Sequence, residues 1–100
     1  MQVSVFVPAS LRQYADGQRQ VRVEAPDAAT VALALERLRA CYPGVVERAL
    51  DEQGKPRPHV NIFVDGESIR AGAKRGLATP LRADSEIWIL PAVSGGSGQA

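Results

Sequence analysis

The residues of this 100-residue chain that are of a type to do chemistry are few and scattered. Cys41 is the lone cysteine, so it closes no internal disulfide and contributes to no metal pattern. It falls on the apolar side of a helical repeat, which predicts a buried structural thiol, because reactive thiols need exposure and electropositive neighbours. His59, the one histidine, has no second histidine or carboxylate at metal-ligand spacing and reads as structural or solvated. Glu47, Asp51 and Glu52 form no pattern suited to acid–base catalysis. Lys55 with Arg57, and Lys74 with Arg75, read as solvated loop charges; the alternative is contact with an acidic partner surface. There is no glycine-rich phosphate loop and no convincing catalytic set, so the chain is expected to have no catalytic residues, metal or cofactor of its own. The unusual stretch is the end, Ser94 to Ala100, which is small and polar and carries three glycines. It cannot bury enough apolar surface to offset the entropy of ordering, which predicts a mobile tail over 94–100 on a domain of 1–93.

Composition bounds what such a tail could serve. One hundred residues make one domain, and 45% hydrophobic content is ordinary for a packed core. Twelve basic and eleven acidic residues leave a net charge of +1, which argues against nucleic acid as the main partner, since phosphate binding needs a concentrated basic surface. No apolar run approaches the roughly 20 residues that span a bilayer. The N-terminus, MQVSVFVP, lacks the basic and long apolar regions of a signal peptide, so the expectation is a cytoplasmic protein without membrane attachment.

The elements follow from hydrophobic period. Val3, Val5 and Val7 alternate with Ser4, Phe6 and Pro8, as in a strand. A turn-rich stretch ends in Asp16-Gly17, and Val21 and Val23 then alternate with polar residues as a second strand, pairing with the first as a hairpin with a long loop. Val31, Leu35, Leu38 and Tyr42, with Ala34 and Cys41 beside them, recur at helical spacing, with Thr30 or Asp27 available as cap and Pro43-Gly44 as stop. Val45 to Leu50 allows a further helical turn. Val60, Ile62 and Val64 predict a third strand, turned by Asp65-Gly66 into a short edge strand over Glu67 to Arg70. Residues 72–84 read as irregular. Ile87 and Ile89, alternating with Trp88 and Leu90, form a last strand closed by Pro91. The order predicts an α+β roll, a mixed four- to five-stranded sheet on one main helix, with first and last strands parallel.

That order, ending in a glycine pair, resembles the β-grasp fold of ubiquitin. The stretch from Asp84 to Gly96 (acidic turn, alternating strand, proline, small residues, Gly-Gly) is similar to the ending of the MoaD/ThiS family of sulfur carriers. Val60 to Glu67 and Gly76 to Leu81 resemble the CysO subgroup, which supplies sulfur for cysteine synthesis. The resemblance runs from Met1 to Gly96. It implies that a MoeB/ThiF-type activating enzyme, using ATP and magnesium, adenylates the Gly96 carboxylate, and that a sulfur donor then replaces AMP to leave a thiocarboxylate. That sulfur would pass to an acceptor synthase in cysteine or a related biosynthesis. Ser94 and Gly95 would thread the partner's channel, where glycine's missing Cβ allows close approach.

The sequence departs from the family at its end. Ser97-Gly98-Gln99-Ala100 follow the glycine pair, so the Gly96 carbonyl is an amide. By similarity to carriers made with a short extension, a JAMM-type zinc protease is expected to cut between Gly96 and Ser97. The other readings are a ubiquitin-like modifier or docking domain without sulfur transfer, and a molybdopterin synthase small subunit. Strand alternation also predicts that Phe6, Phe63, Trp88 and Leu90 point away from the helix and form a docking patch for the activating enzyme.

Overall fold

A computed structural model describes residues 1–70 and 75–91 of the chain. β1 (Gln2–Phe6) and β2 (Gln20–Glu24) pair antiparallel, Val3 opposite Val23 and Val5 opposite Val21. The turn-rich stretch between them is more ordered than its composition suggests, since Ala9–Ala15 forms a 3-10 helix. The reversal falls at Asp16-Gly17, where both residues have left-handed φ values of 54° and 78°.

α1 (Val31–Cys41) begins at Thr30, whose Oγ1 accepts the Leu33 N–H at 3.3 Å. The other candidate cap, Asp27, lies instead 3.7 Å from the Met1 ammonium. Pro43 does end α1, but it also opens α2 (Pro43–Ala49), because a proline at the first helical position has no hydrogen bond to lose. Gly44 then lets α2 press on the loop between β1 and β2. A Cβ there would come within 2.9 Å of Tyr14 Cδ1.

β3 (Val60–Val64) turns into β4 (Glu67–Ser68), which is shorter than predicted. The chain leaves the edge at Ile69, which is buried and donates its N–H to Ile62 at 3.0 Å. The stretch read as irregular contains a 3-10 helix at Gly76–Ala78. Behind it Thr79 is buried, with its Oγ1 donating to the Gly76 carbonyl at 2.6 Å and accepting from Arg75 N–H at 3.0 Å. The Thr79 carbonyl in turn accepts the first amide of α1, from Val31, at 3.0 Å. That bond satisfies a helix-end donor that would otherwise be orphaned.

β5 (Glu86–Pro91) completes a five-stranded sheet in the order β2-β1-β5-β3-β4, parallel to β1 and antiparallel to β3. The helices cover one face, giving the two-layer roll expected of a β-grasp domain. The strand residues that alternate with the outward set and so should face the helix (Val3, Val5, Val7, Val60, Ile62, Val64, Ile87, Ile89) are at most 6% exposed. They pack on Val31, Ala34, Leu35 and Leu38 of α1 and Val45, Val46 and Ala49 of α2.

Cys41 corrects the sequence reading, for it is exposed. The buried stripe of α1 runs through Ala34, Leu35 and Leu38 and continues into Tyr42, which packs against the core. Cys41, in the last turn, lies at the flank of that stripe, in a groove with Val21, Val23 and Arg37.

Candidate functional site

The site is organised by β5, the central strand that leads to the tail. Its start is clamped by Asp65, which sits in the left-handed region at φ 49° ahead of Gly66. The carboxylate accepts the Glu86 N–H at 2.9 Å and the Ser85 hydroxyl at 3.1 Å, while the Asp65 N–H donates to the Glu86 carbonyl at 2.9 Å. The turn closing β3 therefore fixes where β5 begins, and with it the register of all that follows.

In that register Trp88 lies opposite Phe6 on one side and Phe63 on the other. The Phe6 and Trp88 rings stack with centroids 4.0 Å apart and planes 5° from parallel. Trp88 Nε1 donates to Glu86 Oε1 at 3.3 Å. Trp88 and Leu90 remain 38% and 37% exposed, and Phe6 and Phe63 are half-buried. The four predicted patch residues thus share the open face as one apolar strip. Polar pairs frame it: Gln20 Nε2 to Ser4 Oγ at 2.9 Å, Arg22 Nε to Gln2 Oε1 at 3.0 Å, and Arg70 Nη1 to Asn61 Oδ1 at 3.5 Å. An apolar centre with a polar rim is the composition of a protein-binding surface, and a rigid stack loses little entropy on docking.

Beyond the strip, Leu90 pairs with Asn61 and Pro91 with Val60, and there the described part of the strand ends. Two grooves flank this exit. One, of about 410 Å³, is lined among others by Leu11, Arg48, Arg57, His59, Leu90 and Pro91. The other, of about 300 Å³, is lined among others by Phe6, Pro8, Arg12, Arg19, Trp88 and Leu90. Ser94, Gly95, Gly96 and Ser97, expected from the sequence as the tail-threading, sulfur-carrying and processing positions, lie outside the described residues, as does Lys74.

The remaining sequence candidates sit apart from the strip. His59 is exposed, and among the described residues no cluster of three or more His, Cys, Asp or Glu side chains could hold a metal ion. Asp51 closes its own loop by accepting the Gln53 and Lys55 N–H groups at 2.8 and 2.9 Å. The Lys55 amide bond is the main cause that holds its carboxyl below the usual range. Glu24 is likewise lowered, chiefly by its hydrogen bond from the Met1 ammonium. Lys55 and Arg75 are exposed, but Arg57 is anchored, donating twice to the Glu47 carbonyl. Sequence reasoning missed Arg12, Arg19 and Arg48. Parallel pairing of β1 with β5 was the available signal, because it puts the loop after β1 and the end of β5 at one end of the sheet. Among the described residues no helix is long and apolar enough to cross a membrane.

Comparison with known proteins fits this geometry. The sequence profile of the ThiS family matches residues 5–96. The sulfur carrier protein CysO of Mycobacterium tuberculosis is 37% identical over 98 residues, which is 96% of this chain and 100% of that protein. A chain in the crystal structure of the Amycolatopsis orientalis BexX/CysO complex superposes with a TM-score of 0.80 at 29% identity, over 94% of this chain and 99% of that one. SAMP1 from Haloferax volcanii gives a TM-score of 0.78 at 30% identity, over 96% and 100%. Strand order, the helix-covered sheet and these likenesses agree: the chain belongs to the ThiS family and is a ubiquitin-like β-grasp sulfur carrier of the CysO, ThiS and MoaD type rather than an enzyme.

Proposed function

We propose that this carrier works through Gly96 after Ser97–Ala100 have been removed, and that it delivers sulfur for cysteine or a related biosynthesis. The observation that carries the reading is the placement of β5. It is locked into the centre of the sheet at its start, bears the open apolar strip along its middle, and ends at Pro91 beside two open grooves. A carrier needs a rigid body to dock and a backbone-only end to insert into another protein's active site, and this arrangement separates the two.

The chemistry requires a free carboxylate. Hydrolysis of the Gly96–Ser97 amide, assigned to a JAMM-type zinc protease, supplies it. The Gly96 carboxylate then attacks the α-phosphorus of ATP in a MoeB/ThiF-type enzyme, and pyrophosphate leaves. A sulfide-level donor displaces AMP from the resulting acyl-adenylate, leaving a C-terminal thiocarboxylate for the acceptor synthase. ATP, magnesium and the catalytic groups belong to the partners. Phe6, Phe63, Trp88 and Leu90 are the docking patch for the activating enzyme, and a cytoplasmic setting suits the ATP it needs. Support for the cysteine pathway comes from the likeness to CysO.

Mass spectrometry of the protein from its native cell tests the reading. A species ending at Gly96, and a thiocarboxylate form of it, are expected. Full-length chain alone, together with ATP-dependent activity, would sink the processing step. The likeness to SAMP1, in full a small archaeal modifier protein, favours a second reading, in which Gly96 is joined to lysines of other proteins. Isopeptide conjugates without thiocarboxylate would support that one, and stable co-purification with one large subunit would instead indicate a molybdopterin synthase small subunit.

A further inference from the structure

The near-neutral charge of the whole chain conceals a division between its two ends. At the end where β1 and β5 begin, three cations have carboxylate partners. The Met1 ammonium lies 3.1 Å from Glu24, Arg22 lies 3.6 Å from Asp84, and Arg82 lies 3.9 Å from Asp65. At the opposite end, where the tail leaves β5, Arg12, Arg19, Arg48 and Arg57 surround the exit from both grooves. Among the described residues none of these four forms an ion pair. Glu47 is the only carboxylate in the lining of either groove, and Asp16 lies nearby on the loop after β1.

Three of the four guanidiniums are nevertheless held in place by neutral groups. Arg12 Nε donates to the Val7 carbonyl at 3.1 Å. Arg57 donates from Nε and Nη2 to the Glu47 carbonyl at 3.1 and 2.9 Å. Arg48 donates to the Gly44 carbonyl at 3.3 Å and lies 3.8 Å over the centre of the Tyr14 ring. Carbonyls and an aromatic face orient a cation without cancelling its charge, so Arg12 and Arg48 are held yet electrostatically unspent, while Arg57 also acts on the nearby Asp51 carboxylate.

We infer that this cationic collar recognises an acidic rim on the protein that receives the tail, so that charge steers the carrier exit-first onto its partner. The inference rests on the sulfur-carrier reading for the identity of that partner. A protein rim fits better than a nucleic acid. The cations are interleaved with Pro8, Leu11, Val60, Leu90 and Pro91 around two pockets, whereas a phosphate backbone needs a continuous basic track.

The test compares two full-length double variants of equal net charge, Arg19→Gln with Arg48→Gln at the exit and Arg22→Gln with Arg82→Gln at the other end. Binding to the MoeB/ThiF-type enzyme of the same organism is followed by stopped flow across a salt series. The exit pair should slow association by about tenfold at low salt and converge with the parent at high salt, with dissociation little changed. The opposite pair should stay within about twofold of the parent. Arg19→Gln alone, which removes no side-chain hydrogen bond or ion pair among the described residues, should show part of the loss even if the exit pair folds poorly. Equal effects from both ends, or association insensitive to salt, would overturn the collar. If neither the full-length parent nor its form ending at Gly96 binds the activating enzyme, the partner named in the proposed function fails instead. The collar is then judged on polyglutamate resin, where earlier elution of the exit pair sustains it and equal elution rejects it. Stronger capture of a short single-stranded RNA than of polyglutamate would also reject the protein rim.

Discussion

Within β5, neighbouring residues meet opposite surroundings. Ile87 and Ile89 are 0% and 1% exposed, while Trp88 and Leu90 on the other face are 38% and 37% exposed. Both sets are large and apolar, so hydrophobicity does not separate them. What separates them is that α1 and α2 cover one face and nothing among the described residues covers the other. The inner set stabilises the fold through burial. The outer set leaves apolar area exposed to water, of the kind that proteins bury against partners, and the Phe6–Trp88 stack keeps that area in one shape.

Truncations on the two faces should therefore separate stability from binding. Leu35→Ala, on the helix that covers the inner face, should lower unfolding free energy by about 3 kcal/mol in denaturant titration. The fraction still folded should bind the activating enzyme normally. Trp88→Ala should do the reverse, weakening that complex by about 2 kcal/mol, or roughly thirtyfold in Kd. Its stability cost should be nearer 1 kcal/mol, from loss of the stack. A stability loss as large as that of Leu35→Ala would break the distinction between the faces.

The inner face was legible in the sequence because period-two alternation admits only two assignments, and the β-branched residues agree across three strands. The open patch followed from the same alternation. The edges of elements were less legible. Pro43 marks a helix end and a helix start with the same chemistry, and Ile69 leaves the edge strand to be buried in the core, which no local pattern records. Cys41 was misplaced because its spacing fits an apolar stripe until the helix ends and Tyr42 takes the position. The collar at the exit escaped notice because Arg12, Arg19, Arg48 and Arg57 come from three separate segments that only the topology brings together.

Smaller perturbations sharpen the picture of what holds the covering layer in place. Gly44→Ala should cost about 1–2 kcal/mol, since its Cβ meets Tyr14 and α2 must shift. Thr30→Ala should cost about 1 kcal/mol through loss of the α1 cap, read as a lower Tm. The smallest effect belongs to Asp51, which touches neither face. Its carboxyl is lowered in the folded protein, so its contribution is fully present at neutral pH and is lost as pH falls through and below the ordinary carboxylate range of about 4. Asp51→Asn should leave global stability nearly unchanged and show faster amide exchange at Gln53 and Lys55, the two N–H groups the carboxylate holds.

The last strand of the described chain is also the middle strand of the sheet, flanked by β1 and β3. During synthesis, β1 and β3 leave the ribosome with their shared neighbour still missing, and the hydrophobic layer cannot close until residues 86–91 arrive. Folding is thereby postponed to the end of translation, with contacts spanning nearly the whole length of the described chain. A chain that stops before β5 does not yield a slightly shortened carrier with a blunt end; it leaves the β2-β1 and β3-β4 pairs without the strand that joins them, and their apolar faces open to proteolysis. Completion of the fold thus certifies that translation has reached the strand from which the tail begins.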